Sequence, residues 1–266
     1  MPDRMREVLT SEALKRTYQW AKTGVMCAGY ADEIEWQRSV RFEEVTESDL
    51  LRENAWVVLC CGMREAIVRE RFAEVSRCFQ DWRSADHIID SLPHCREQAL
   101  RYFRHPAKID AIIACAAWVA EQGFAKVKGS IRLDPLGALR TLPFIGPVTA
   151  YHLAKNLGLP VAKPDRHLVR LSRLVGYQDV QEFCDHIAEH TGDPVAVVDI
   201  VLWRFATLRS DYLDAFAREL VGGSLPEVRH LEQDVNVGGV YYRSSVAKAR
   251  VFPRLRQAQA RAPGEI

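Results

Sequence analysis

Apolar residues recur three and four positions apart through Leu50 to Cys61, Ala66 to Phe79, Ile109 to Val119, Val180 to Ile187 and Val195 to Leu208, and almost nowhere alternate. That spacing gathers them on one face of a 3.6-residue helix, so the pattern predicts an all-α chain. Pro93, Pro106, Pro135, Pro143, Pro160, Pro164 and Pro194 cut it into helices of ordinary length with short connections. Gly222-Gly223 is placed to close the last helix, and beyond it only Val235 to Tyr242 has strand character. No repeat and no low-complexity block interrupts the pattern.

A chain of 266 residues, 48% apolar, can fill one large or two small cores without disulfide staples. Its 7 cysteines are odd in number and scattered, which predicts buried thiols in a reducing compartment and no metal clip. The longest apolar run, Ala111 to Ala120, is too short for a bilayer. Met1 to Arg16 is charged throughout and lacks the apolar core of a secretory leader, so the expected location is cytoplasmic, at the nucleoid in a prokaryote, with no membrane partner. A net charge of +1 gives no overall basic field, so any nucleic-acid surface must be local. Arg243 to Arg261 is one such stretch: it carries Lys248, Arg250, Arg254 and Arg256 with no acid, fit for a phosphate backbone or for bare solvation.

The most informative stretch is Leu139-Arg140-Thr141-Leu142-Pro143-Phe144-Ile145-Gly146-Pro147-Val148-Thr149-Ala150, where one helix stops and another begins at once. Pro147 suits a first helical position, and Gly146 lets the backbone approach a partner closely. A helix N-terminus with free N–H groups attracts anions, and a DNA phosphate is one; a tight helical turn that binds nothing has the same local form. Further on, Ala162-Lys163-Pro164-Asp165-Arg166-His167-Leu168 opens the next helix. Asp165 there is an ordinary capping residue, but a short helix and a return loop, Gly158 to Pro164, would bring it back beside the hairpin.

The Leu-Pro-x-x-Gly hairpin, the following Thr149-Ala150, the Gly158-x-Pro160 loop and Asp165 resemble the helix-hairpin-helix and glycine/proline-loop signature of DNA glycosylases, in the endonuclease III-like branch. Leu51 to Arg69 is similar to the first barrel helix of that family, Lys108 to Ile113 to the helix after its wedge loop, and Val198-Asp199 with Trp203 to a helix near its end. The resemblance implies two helical domains with a DNA-binding cleft between them. Residues 1–42 and 160–223 would form a discontinuous domain carrying Asp165, residues 43–159 a barrel domain with the hairpin at 134–157, and residues 224–266 a short basic extension. It implies a monomer acting on double-stranded DNA, with Leu142, Ile145, Gly146, Val148, Thr149, Lys163, Arg166 and Arg104 at the DNA. Asp165 would face a flipped nucleotide, where a carboxylate stabilises the oxocarbenium character that develops as the N-glycosidic bond breaks.

Departures from the family refine these expectations. Val148 stands where bifunctional members carry a Schiff-base lysine, which points to a monofunctional enzyme using water; Lys155 and Lys163 are the amines that could substitute. Only Cys184 lies where the iron-sulfur branch has four cysteines, so no cluster is expected, and His186 and His190 read as a polar helix face rather than a metal site. No cofactor is expected beyond a structural monovalent cation that hairpin carbonyls could hold. Phe144 replaces the first hairpin glycine. Gly62 and Met63 occupy the usual wedge place, leaving Phe103 and Arg104 as alternatives for insertion into the duplex. Base excision from damaged or modified DNA is the leading expectation. An anti-phage enzyme acting on enlarged bases, which Gly62 would admit, and a non-catalytic helix-hairpin-helix DNA binder are the alternatives.

Overall fold

The computed structural model describes residues 3–222, with side chains from Ser11 onward, and the described residues form helices and connecting turns. In chain order these are α1 (Asp3–Val25), α2 (Ala31–Ser39), α3 (Glu47–Cys60), α4 (Glu65–Cys78), α5 (Ala85–Asp90), α6 (Leu92–Tyr102), α7 (Pro106–Gln122), α8 (Phe124–Leu133), α9 (Pro135–Leu139), α10 (Pro147–Asn156), α11 (Arg166–Leu174), α12 (Val180–Thr191), α13 (Val195–Leu208) and α14 (Tyr212–Leu220). The all-α class is as the apolar spacing predicts. No described helix is long and apolar enough to cross a membrane. Val235 to Tyr242 and the basic stretch Arg243 to Arg261 lie outside the described residues.

Apolar side chains gather in two clusters. The first is built on α3 and α7, with Val57, Leu59, Ile109 and Ala116 fully enclosed, and takes in Phe42 through Leu157. The second wraps α1, α11, α12 and α14 around α13, whose Val197, Val198, Val201 and Leu202 are inaccessible to solvent, and combines Leu14 to Ile34 with Ala162 to Phe216. An α13 sequence apolar on nearly every face can only be a buried helix, and it is the central one here. Phe42 belongs to the first cluster, and Val161 packs against it.

Polar groups bridge the two clusters. Arg204 of α13 donates from Nε and Nη2 to Glu33 of α2 at 2.8 and 2.6 Å, and from Nη1 to Glu65 of α4 at 3.2 Å. Its guanidinium lies 4.2 Å from the Tyr30 ring centroid and 4.6 Å from that of Trp203. Gln37 of α2 donates to the Lys155 carbonyl of α10 at 3.0 Å. Charges this enclosed persist only when paired and hydrogen-bonded, and these are.

Two details depart from expectation. Leu51 to Arg69 is not one helix: α3 ends at Cys60, and Gly62 at φ +67 turns the chain into α4. Left-handed backbone accounts for that glycine by itself. Cys95, Cys115 and Cys184 are buried as predicted, but Cys60, Cys61 and Cys78 are partly accessible and Cys27 is exposed.

Candidate active site

After α9 the chain turns through Leu142 to Gly146, and α10 starts at Pro147. Thr149 Oγ1 accepts the Gly146 N–H at 2.6 Å and donates to the Phe144 carbonyl at 3.0 Å, so one side chain closes the turn on itself. The N–H groups of Val148 and Thr149, in the first turn of α10, have no acceptor within their own helix. They open on a shallow groove of about 460 Å³ lined by Cys61, Phe144, Ile145, Gly146, Pro147, Val148 and Thr149.

Gly146 is extended at φ −87, and a Cβ added there would meet only Thr149 Oγ1, at 3.9 Å. Nothing inside the molecule demands a glycine at this position. Phe144 is the reverse case: a 37% exposed aromatic held at φ +64, a backbone region that disfavours side chains. Its ring meets the edge of His105 at 6.0 Å, with the Lys108 ammonium also 6.0 Å from its centroid. Of the turn carbonyls, Leu142 O accepts from Ile145 N and Phe144 O from Thr149, so a cation held there would share both oxygens with those donors.

Return to the second cluster runs through Gly158, at φ +84. A Cβ there would stand 2.8 Å from the Phe42 backbone nitrogen and 3.0 Å from the Arg41 carbonyl carbon, so only glycine lets this loop pass. The loop is then pinned by Asp199 of α13, whose Oδ2 accepts the Lys163 N–H at 2.6 Å and whose Oδ1 binds the Lys155 ammonium of α10. Both side chains of that ion pair are buried.

Asp165 caps α11. Its Oδ1 accepts from the backbone N–H groups of His167 at 2.9 Å and Leu168 at 3.2 Å, which fixes the carboxylate plane. Its Oδ2 accepts no hydrogen bond among the described residues and lies 3.9 Å from Lys163 Nζ. The side chains of Lys163 and Asp165 are 20% and 14% exposed, so the pair is recessed yet open to solvent. Burial lowers the pKa of Lys163, the positive charge of Lys155 adds to that, and Asp165 and Asp199 oppose it. His152, one turn beyond Thr149 on α10, is also held well below its ordinary value, by burial and then by Lys163 and Lys155.

The end of α3 connects hairpin and carboxylate. Cys61 lines the hairpin groove, and its neighbour Cys60 lies in the electrostatic field of Lys163, Lys108, Glu65 and Arg69. Burial pushes the Cys60 thiol up to about 12, which makes it a spectator rather than a nucleophile. Lys108 fastens this end by donating to the carbonyls of Leu59 at 2.6 Å and Cys61 at 2.5 Å.

The other expected site residues distribute as follows. Leu142 and Ile145 bury their side chains in the first cluster, so only their backbone faces the groove. Arg104, Arg166 and Val148 are exposed, and Gly62 and Met63 sit at the rim of the turn between α3 and α4. Phe103 requires a correction as a wedge: it is 2% exposed, packed in the first cluster, whereas the exposed aromatics nearby are Tyr102 and Phe144. The periodicity of the stretch into α7 could not separate Tyr102 from Phe103. Arg166, Arg170 and Arg173 form an exposed row along α11, and none is paired with an acid among the described residues. The sequence reading named neither Arg170 nor Arg173, although their spacing on one helix face was visible. His186 and His190 stack at 4.4 Å on α12, and no three potential metal ligands converge among the described residues. No family model, curated protein or solved structure matches the chain.

Proposed function

We propose that this chain is a DNA N-glycosylase that releases a damaged or modified base from double-stranded DNA, with Asp165 as its catalytic carboxylate. The observation that carries the proposal is the state of that side chain: one oxygen is committed to the α11 N-terminus and the other is free, recessed and accessible. A capping aspartate with no other task needs neither the recess nor the pinned loop before it.

In this view the two apolar clusters are two domains and the DNA lies in the cleft between them. The α10 N-terminus receives a phosphate on the N–H groups of Val148 and Thr149, and the absence of any internal need for a glycine at 146 reflects the close passage of the strand. The arginine row of α11 would neutralise further phosphates, which supplies the local positive surface that a net charge of +1 requires. With a nucleotide flipped into the cleft, Oδ2 of Asp165 faces C1′, stabilises the developing oxocarbenium charge and orients the water that captures it. Val148 offers no nucleophile at the hairpin, so water is the group that completes base release.

The test is release of free base from a panel of lesion-bearing and modified duplexes, read by mass spectrometry, with wild type beside Asp165→Asn. Asparagine caps a helix as well as aspartate does, so the variant should keep its stability. Its turnover should fall on the order of a hundredfold or more. Unchanged turnover in Asp165→Asn would refute the assignment, and no free base from any duplex would favour a DNA-binding module.

A further inference from the structure

We propose that Phe144 makes the hairpin turn a stacking platform for an unpaired nucleobase, so that DNA with an unpaired nucleotide gains a contact that a fully paired duplex cannot make. The inference rests on DNA as the partner of the hairpin and deepens that reading, but it needs nothing from the chemistry at Asp165.

The backbone at Phe144 does not ask for an aromatic. At φ +64 glycine is free of steric cost and phenylalanine is not. The turn closes through Ile145 N–H on the Leu142 carbonyl at 3.2 Å and Gly146 N–H on Thr149 Oγ1 at 2.6 Å, neither of which uses the Phe144 side chain. Nor does the ring fill the core, since the residue keeps 37% of its surface in solvent. His105 packs perpendicular to it and the Lys108 ammonium lies 6.0 Å from its centroid, so its protein side is occupied and the accessible remainder faces outward. An exposed apolar ring at a position that penalises side chains is unfavourable twice over, and a partner that stacks on it removes the exposure.

The surroundings say what that partner is. Among the described residues seven large hydrophobic side chains are exposed, and three of them, Tyr102, Phe144 and Val148, lie on the two segments that meet where Phe144 touches His105. Neither segment carries an acid: residues 98–109 and 135–164 contain no aspartate or glutamate, while Arg104 and Arg140 are exposed on them. An aromatic face among cations, with no carboxylate to repel a phosphate, is the chemistry that holds single-stranded nucleic acid, because every base has a π-face and arginine takes the backbone. Bases inside a paired duplex already stack on one another, so only an unpaired nucleotide can use this ring.

The experiment titrates the full chain against an undamaged homothymidine strand of about twelve nucleotides and against the same strand fully paired, read by fluorescence anisotropy. Phe144→Leu keeps apolar bulk without a π-face, and Phe144→Gly removes the ring where the backbone favours glycine. Both should weaken single-strand binding by about fivefold or more, and by more than they weaken duplex binding, while Phe144→Tyr stays within about twofold of wild type. In a second arm the strand carries iodouracil, which crosslinks to a stacked aromatic on near-ultraviolet irradiation, and the proteolytic map of wild type should place the crosslink on Phe144. No single-strand binding by wild type, Phe144→Leu binding as tightly as wild type, equal losses on single strand and duplex, or a crosslink confined to other residues would each overturn the proposal. The strand holds no lesion, so failure here is separable from failure of the glycosylase reading. Free-base release from duplexes without a Phe144 crosslink refutes the platform alone, and a Phe144 crosslink without base release from any duplex refutes the catalytic assignment alone.

Discussion

Replacing Asp199 by alanine should be among the most damaging single changes in the molecule. It strips the carboxylate from Lys155, whose side chain is 3% exposed, and removes the acceptor that holds the Lys163 N–H at 2.6 Å. Breaking a buried pair from one side leaves an uncompensated charge and costs about 3–5 kcal/mol. The lost backbone hydrogen bond adds about 1 kcal/mol. Against a total stability of about 5–15 kcal/mol, that is a large share. In a domain of this size it corresponds to a fall in melting temperature of roughly 10 °C or more. The assay is a double-mutant cycle by thermal and urea denaturation, using Asp199→Leu, Lys155→Met and the pair together. Both singles should be strongly destabilised, and the double should recover most of the loss, because an apolar pair of similar volume fits where the ions sat. The recovered double still lacks the oxygen that pins Lys163, and a displacement of about 1 Å at Asp165 can cost about a hundredfold in rate, so base release should stay low in a stable protein. Singles within about 1 kcal/mol of wild type, or a double as damaged as the sum of both, would refute this account of the node.

Gly146→Ala should leave stability within about 1 kcal/mol of wild type, since its Cβ meets only Thr149 Oγ1 at 3.9 Å, yet weaken binding to duplex DNA in a gel-shift titration. Arg170→Ala and Arg173→Ala should each flatten the plot of log affinity against log salt by about 0.9 if each neutralises one phosphate, a slope readable by fluorescence anisotropy. Burial would raise the Asp193 carboxyl, but hydrogen bonds from Arg38, Lys22 and Tyr18 hold it below its ordinary 3.8. A depressed folded-state value means stabilisation present above that ordinary value and lost as pH falls through the folded one, so Asp193→Asn should flatten the acid limb of the stability curve, measured by urea denaturation from pH 6 to about pH 2.5.

Helix class, the start of α10 and the cap of α11 were legible because each depends on residues close in sequence. Spacing places apolar positions on one face, Pro147 suits a helix start, and Asp165 accepts from amides two and three positions ahead. The node at Asp199 was not legible in the same way. Its partners, Lys155 and Lys163, lie 44 and 36 positions away, and a lone acid in an apolar helix does not say what it pairs with. Gly62 has a second, purely local explanation. Its absent side chain suggested room for a large base, whereas a turn at φ +67 asks for glycine with or without a ligand. Phe103 misled because two adjacent aromatics at a helix end project to different sides, and only packing decides which is enclosed.

One feature at the edge of the second cluster governs more than its size implies. Between α1 and α2 the chain kinks within Met26–Tyr30, where Gly29 at φ +90 breaks the helix. That kink sets the direction in which α2 leaves α1, so a residue that disfavours positive φ at position 29, or a deletion within the turn, would re-aim α2. Glu33 and Gln37 would then swing away from Arg204 and from the Lys155 carbonyl together. The kink thus acts as an aiming device: its glycine and its length together decide whether the first helices can fasten the two halves of the molecule.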